Sequence, residues 1–113
     1  MKKLNLNDIQ GTSPEGTKGV DFRPLLTDNV KAPNFYMRIF SISPGGHTPK
    51  HNHSWEHEVF VIEGSGKIVL KNGEEQLSPG DAVFVEPNEL HQFVNSGDSV
   101  MRMICVIPKP KND

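Results

Sequence analysis

PGGHTPKHNHSWEHEVFVIEGSG, residues 44–66, contains four of the five histidines of this 113-residue chain. It opens with a Pro-Gly-Gly turn and closes with the apolar run EVFVIE and a second turn, Gly64-Ser65-Gly66. A short apolar run bounded by turn residues is typical of a β-strand. Because the run KIVLKNG follows directly, the glycine-rich turn between the two runs predicts a β-hairpin.

The same pattern of short strands and turns continues on both sides of this stretch. NFYMRIFSI, residues 34–42, is aromatic and β-branched, and VDFRPLL, residues 20–26, predicts an edge strand because Pro24 has no N–H to donate. Asn72-Gly73 predicts a second hairpin, and AVFVEP, HQFVN and SVMRMICVIP complete the series. No window keeps a helical period over three turns. The sequence therefore predicts an all-β sandwich or barrel.

Length, charge and cysteine content exclude several classes of protein. The 113 residues suit one domain, expected as a barrel over residues 20–108 with an N-terminal arm, 1–19, and a disordered tail, 109–113. Twelve Lys and Arg against 14 Asp and Glu leave no basic field for nucleic acid. No apolar run could span a membrane, and MKKLNLNDIQ lacks the apolar segment of a secretory signal, so a cytoplasmic location is expected. The single cysteine excludes a disulfide framework and a cysteine-rich metal site.

The histidines form the pattern that carries chemistry. His51 and His53 are two residues apart, so on an extended backbone both side chains leave the same face. His57 opens the next apolar run, and His91 opens HQFVN. Four imidazoles on the strands of a small barrel can converge on one divalent transition metal, such as Mn, Fe, Co, Ni, Cu or Zn. His47 follows two glycines in a turn and is expected at the surface.

Two motifs give the sequence a resemblance to the cupin family. PGGHTPKHNHSWEHEVFVIEGSG resembles the first cupin motif, and PGDAVFVEPNELHQFVN, residues 79–95, resembles the second. The resemblance covers about residues 34–108 and implies the cupin double-stranded β-helix, a small jelly-roll barrel. More narrowly, APNFYMRIF, HSWEHEVFV, VEPNELHQF and CVIP resemble the small tetra-histidine manganese cupins of thermophilic bacteria, which implies manganese as the ion.

One position departs from the pattern of most cupins, which have a glutamate as the third metal ligand, separated from the motif glycine by six residues. Counting back from Gly64, that position is His57, and its neighbours Glu56 and Glu58 face the other side of a strand. Those two carboxylates either orient imidazole N–H groups or are solvated. Four neutral ligands leave the ion its full formal charge of +2, which should raise its Lewis acidity. The expected ligands of one divalent metal per chain are His51, His53, His57 and His91.

The resemblance, with the parity of the neighbouring strands, also implies which residues surround the ion. The expected pocket residues are Arg38, Phe40, Trp55, Phe93, Met103, Cys105 and Ile107. Arg38 either holds an anionic group of the substrate or pairs with a carboxylate, and Trp55 either caps the cavity mouth or lies at an interface. Cys105 is either a small buried residue or an oxidisable thiol beside a redox metal.

These expectations lead to a metal-dependent oxidoreductase of the dioxygenase or peroxide-using type, acting on a small organic molecule in the barrel. Oxidative cleavage of an alkene C=C bond is the activity that the resemblance implies. The alternatives are a non-catalytic cupin that binds a small ligand, a metal-assisted isomerase or lyase, and an ion that only stabilises the barrel. An isomerase needs a general base, and no inward carboxylate is apparent. Residues 20–26 are expected to exchange between the subunits of a homodimer.

Overall fold

A computed structural model describes residues 1–111, and its regular secondary structure is almost entirely β-strand, which confirms the all-β prediction. Two short 3₁₀ helices, Leu6–Asp8 and Asp28–Val30, flank the first strand. In the described residues, no helix is both long enough and apolar enough to cross a membrane. The strands are β1 (Lys18–Leu26), β2 (Phe35–His47), β3 (His57–Glu63), β4 (Gly66–Leu70), β5 (Gly73–Leu77), β6 (Ala82–Val85), β7 (His91–Val94) and β8 (Met101–Pro108).

The strands form one antiparallel sheet that curls into a jelly-roll barrel. Their order is β5-β4-β7-β2-β8-β3-β6, and β1 pairs with β2. Strands β1, β2, β8, β3 and β6 form one wall, and strands β5, β4 and β7 form the other. The two walls join where His47 of β2 pairs with Val94 of β7. The barrel predicted from the turn pattern is therefore confirmed.

One of the two predicted hairpins is wrong. Asn72-Gly73 joins the paired strands β4 and β5, as expected. In contrast, Gly64-Ser65-Gly66 joins two strands that do not pair, because β3 pairs with β6 and β8 while β4 pairs with β5 and β7. Gly64 has a φ of 75°, and its Cα lies against the backbone of Val100 and Met101. A glycine-rich turn can reverse the chain or carry it from one wall to the other, and only the pairing distinguishes the two.

The inward face of the barrel follows the predicted parity. Along β8 every second residue, from Met101 to Ile107, is buried, and the residues between them are half-buried. In β3 the buried residues are His57, Val59 and Val61. The strand periodicity of two therefore determines which side chains reach the interior. The buried core consists of Val20, Ile42, Val59, Val61, Ile68, Leu77, Val85, Phe93, Met101, Met103, Cys105 and Ile107.

The N-terminal segment is attached to the barrel. β1 begins at Lys18, two residues before the expected strand, and pairs with β2 of the same chain. The backbone groups of Thr12 and Phe22 exchange hydrogen bonds of 3.0 and 2.8 Å, which fastens the expected arm to β1. The exchange of residues 20–26 in a homodimer stays a prediction. The last two residues of the expected disordered tail, 112–113, lie outside the described residues.

Candidate metal centre

Three histidines from two segments, the connection between β2 and β3 and the start of β7, converge at one end of the barrel. His91 begins β7, His51 pairs with it through an isolated bridge, and His53 follows on the connection to β3. One nitrogen from each ring lies within 4.8 Å of the other two. The ring centroids are 4.9 to 5.0 Å apart. This cluster could hold a metal ion.

The hydrogen bonds of two of these rings fit metal binding. Nδ1 of His53 donates to the carbonyl of Trp55 at 2.9 Å, and Nδ1 of His91 donates to the carbonyl of Glu89 at 2.8 Å. Because a carbonyl only accepts, each Nδ1 carries the proton and each Nε2 keeps a free lone pair. An imidazole with its outer N–H anchored in this way is the usual form of a histidine metal ligand. The donor set therefore fits a transition-metal ion.

His57, at the start of β3, adjoins this cluster and is only 8 % exposed. Its Nε2 lies 2.6 Å from Nε2 of His53, and its ring centroid lies 5.2 Å from that of His91. On the other side of the ring, Nδ1 lies 2.9 Å from Sγ of Cys105. The Nε2 atom of His57 thus faces another ring nitrogen of the cluster, while the opposite edge of its ring faces the core.

The environment lowers the pKa of three of these imidazoles, those of His51, His53 and His57. Burial, the nearby Arg38 guanidinium and three other histidines together lower the pKa of His57 to about 3, and burial contributes most. Burial, followed by the proximity of His91 and His53, lowers the pKa of His51. The pKa of His53 is also lowered, mainly by burial, although its bond to the Trp55 carbonyl acts in the opposite direction. A divalent ion binds neutral imidazole, so the low pKa values favour metal binding at neutral pH.

A cavity of about 90 Å³ lies beside His51, His57 and His91. Five of the seven expected pocket residues line this cavity, and three further residues line it that were not expected. Val59 could have been found, since it shares the parity of His57 on β3. Thr48 and Pro49 lie on an irregular connection, where no periodicity indicates a direction. The expected lining residues are Arg38, Phe40, Phe93, Met103 and Cys105, and the unexpected ones are Thr48, Pro49 and Val59.

Two expected pocket residues lie elsewhere. Trp55 is 43 % exposed and stacks on His53, with the ring centroids 4.2 Å apart and the planes 6° apart. It covers a ligand ring instead of the cavity mouth. Ile107 shares the inward face of β8 with Cys105 but lines a separate surface hollow near Phe35. The alternation along a strand predicts which face a side chain is on. It does not predict how far along the strand that side chain lies from the site.

Of the two roles open for Glu56 and Glu58, the described residues show no hydrogen bond between either carboxylate and an imidazole. Glu58 is exposed, and within residues 1–111 neither Glu56 nor Glu58 is hydrogen-bonded to a histidine, since backbone carbonyls take that role. His47 is half-buried at the end of β2, where its Nδ1 donates to the Thr48 carbonyl at 3.0 Å. His47 thus lies outside the cluster, although it is less exposed than predicted.

Comparisons with known proteins agree on the fold and differ in activity. A family model described as "Cupin domain" matches residues 38–107. The solved structure of the polyketide cyclase RemF from Streptomyces resistomycificus superimposes with a TM-score of 0.89 and 34 % identity, over 100 % of this chain and 82 % of that one. The tetracenomycin polyketide synthase protein TcmJ of Streptomyces glaucescens is 29 % identical over 110 residues, 91 % of this chain and 73 % of that protein.

A third relative has a different activity in its name. The 1-methylthio-D-xylulose 5-phosphate methylsulfurylase of Rhodospirillum rubrum is 27 % identical over 71 residues, which are 63 % of this chain. The match spans only 46 % of the length of that relative. Proteins that share this domain therefore carry different activities, and the fold alone does not fix the type of reaction.

Proposed function

This chain belongs to the cupin family, and we propose that it is a metal-dependent oxidoreductase that uses dioxygen or a peroxide to oxidise a small organic substrate. The proposed site holds one divalent ion per chain. The observation that carries the proposal is the convergence of neutral imidazoles beside a mostly apolar cavity. The proposed ligands are His51, His53, His57 and His91.

The inclusion of His57 rests on its geometry. Two ring nitrogens only 2.6 Å apart, as in His57 and His53, must share either a proton or a cation, because two facing lone pairs would repel, and a bound ion would replace that proton. With His57, four neutral ligands would leave room for two further ligands in an octahedral site, as a catalytic centre requires. Manganese is proposed on the sequence resemblance, and imidazole ligands also suit Fe, Co, Ni, Cu and Zn.

When bound, the ion would supply redox and Lewis-acid chemistry. The chain itself would orient the site and exclude water from it. The Trp55 carbonyl and ring hold His53, and Phe40, Phe93 and Met103 offer an apolar wall to the hydrocarbon part of a substrate. Among the described residues that line the cavity there is no carboxylate. Because the lining has no carboxylate and its histidines are taken up as proposed metal ligands, oxidation by an external oxidant is favoured over proton abstraction.

Alkene cleavage is the reaction that we propose to test first. The C=C bond of a disubstituted alkene and the O–O bond of one O₂ molecule both break, and each alkene carbon forms a double bond to one oxygen atom. Two carbonyl products account for all atoms and electrons, so no separate reductant is needed. The small cavity suits an alkene whose reactive end enters while the remainder projects outward.

Ring closure is the second candidate, because the similarity to a polyketide cyclase extends over the whole chain. A Lewis acid could promote the attack of an enolate carbon on a carbonyl within one poly-ketone molecule. Such a reaction consumes no oxidant, but it needs a proton acceptor. The cavity lining offers no carboxylate for this role within residues 1–111. We therefore rank ring closure second to oxidation as a candidate function.

The test is a substrate panel with the manganese-loaded protein, made of styrene-type alkenes, phenols and 1,3-diketones. Oxygen or peroxide consumption and product masses are measured together. His91→Gln removes a proposed ligand, and His47→Gln is the matched control outside the cluster. We expect oxidant consumption by the wild-type protein and by His47→Gln, and none by His91→Gln.

The other outcomes separate the alternatives. A ring-closed product without oxidant consumption would favour the cyclase. Tight ligand binding without turnover would favour the non-catalytic alternative. Metal-dependent thermal stability with neither ligand binding nor turnover would indicate a purely structural ion. Any of these three results would overturn the oxidoreductase proposal.

A further inference from the structure

Arg38 is a cation at the cavity wall without an anionic partner. A guanidinium is protonated at every physiological pH. In the part of the chain that the structure describes, no carboxylate lies within ion-pair distance of it. The nearest polar atoms are Sγ of Cys105, 3.0 Å from an Arg38 terminal nitrogen, and Nδ1 of His57 at 3.5 Å. Pairing with a carboxylate, one of the two roles expected for Arg38, is therefore wrong for residues 1–111.

The existing contacts compensate this charge only partly. Burial raises the pKa of the Cys105 thiol, so that group is a neutral and weak acceptor. The faces of Phe22 and Phe40 lie 5.8 and 5.3 Å from the guanidinium carbon, which is within cation–π range. Nε of Arg38 is buried and has no hydrogen-bond partner. A charged group with an unsatisfied buried donor carries a free-energy cost that an anionic ligand would remove.

We propose that Arg38 binds a negatively charged oxygen group of the substrate, a carboxylate or an enolate, in the cavity beside the histidine cluster. The inference deepens the proposed function and rests on it for the role of the ion. Arg38 and three of the proposed metal ligands line the same cavity, so an anionic group there would lie between the guanidinium and the proposed ion. A volume of about 90 Å³ equals roughly three waters of liquid, enough for a carboxylate and an attached carbon.

This inference specifies the substrate class. An enzyme with Arg38 in this position would favour an unsaturated acid, or a keto compound in its enolate form, over the uncharged analogue. The apolar residues Phe40, Phe93 and Met103 would then contact the part of the substrate next to the anionic group. Discrimination would follow from the unpaired guanidinium that a neutral analogue leaves behind.

Calorimetry of the metal-loaded protein tests the inference without turnover. The probes are acetate and benzoate, with acetamide and benzamide as neutral molecules of the same shape. Arg38→Met and Arg38→Gln both remove the charge, so that either variant suffices if the other fails to fold. Arg102→Met is the matched control, since Arg102 pairs with Glu63 at 3.3 Å and does not line the cavity.

We expect the wild-type protein and Arg102→Met to bind benzoate at least tenfold more tightly than benzamide. Either Arg38 variant should bind benzoate about ten- to a hundredfold more weakly, as expected for the loss of a charge-assisted hydrogen bond. Metal affinity, titrated separately, should stay within a few-fold of the wild-type value. Acetate and acetamide should show the same preference with weaker affinity.

Two results would overturn the inference. One is equal binding of benzoate and benzamide by the wild-type protein. The other is unchanged benzoate binding after the loss of the Arg38 charge, which would mean that the ion alone holds the anion. Failure of the proposed function is a separate result. If carboxylate binding depends on Arg38 but no oxidant is consumed, the anion-binding inference stands and only the proposed oxidation is overturned.

Discussion

The backbone of His51 donates to the carbonyl of His91 at 3.1 Å and accepts from its N–H at 2.9 Å. This reciprocal bridge joins two segments that are distant in sequence, the connection after β2 and the start of β7. It holds the two imidazole centroids 4.9 Å apart. Because main-chain hydrogen bonds fix both residues, the fold preorganises two of the proposed metal ligands.

Removal of a clustered histidine should therefore abolish tight metal binding. We expect His51→Gln, His53→Gln and His91→Gln each to weaken Mn²⁺ binding by more than about a hundredfold, because loss of even an outer partner of a ligand costs about 10–100-fold. Calorimetric titration and elemental analysis measure affinity and stoichiometry. His47→Gln should bind like the wild-type protein. Equal affinity of the control and the three variants would place the metal elsewhere.

A separate variant, His57→Gln, decides between three and four protein ligands. If His57 binds the ion, the loss of affinity should be similar to that for His53→Gln, since the two Nε2 atoms are 2.6 Å apart and face the same position. A loss of less than tenfold, measured by the same titration, would assign His57 to the surroundings of a three-histidine site.

Trp55 should stabilise the metal site through its ring. Its indole stacks on His53 at 4.2 Å, and an aromatic pair contributes about 0.5–1.5 kcal/mol beyond buried area. Trp55→Ala keeps the backbone carbonyl that anchors His53, so metal affinity should fall only about two- to tenfold. Trp55→Phe should restore most of the loss. A hundredfold loss in Trp55→Ala that Phe does not restore would contradict a stacking role.

The metal-free protein should become less stable as the pH falls. His57 has an ordinary pKa of 6.5 when unfolded and about 3 when folded, so between these values the unfolded state binds more protons. The unfolding free energy then decreases as the pH falls below about 6.5, by up to about 1.4 kcal/mol per pH unit for this residue. Above about pH 6.5 both states are neutral and the effect is absent.

Urea unfolding at about pH 7 and about pH 5 measures this slope. His57→Gln should reduce the difference between the two pH values, because it removes the largest single contribution, while His51 and His53 retain theirs. His47→Gln, the variant outside the cluster, should keep the wild-type difference. If His57→Gln and the wild-type protein lose the same unfolding free energy between these two pH values, the pH dependence does not come from His57.

Replacement of Gly64 by alanine should lower the unfolding free energy more than the same replacement at Gly80, another glycine with positive φ. At Gly64, φ is 75° and backbone atoms of Val100 and Met101 occupy the place of a Cβ. At Gly80, φ is 93° and nothing lies within 4 Å of that place. Both alanine variants incur backbone strain of about 1–2 kcal/mol. Urea unfolding should show that Gly64→Ala loses at least about 1 kcal/mol more than Gly80→Ala, and equal losses would contradict the close backbone approach.

Some of the site could be predicted because it depends on local periodicity. The alternation along β3 placed His57 on the buried face together with Val59, and the same rule assigned Cys105 to the interior from β8. Trp55 was misplaced because it lies on an irregular segment, where alternation has no meaning. Ile107 was misplaced because a strand face extends beyond the site. Neither error could be corrected from the spacing of residues alone.

The sequence by itself determined the strand class, the inward faces and the histidines that gather, because a period of two and the turn residues are properties of neighbouring amino acids. Only the tertiary structure decided that Gly64 leads from one wall to the other, and that Arg38 meets the Cys105 thiol and no carboxylate. Those outcomes depend on which distant strands become neighbours. Pairing between strands that are distant in sequence is set by the packing of the whole barrel, and no local pattern encodes it, whereas a hairpin such as that at Asn72-Gly73 is encoded locally.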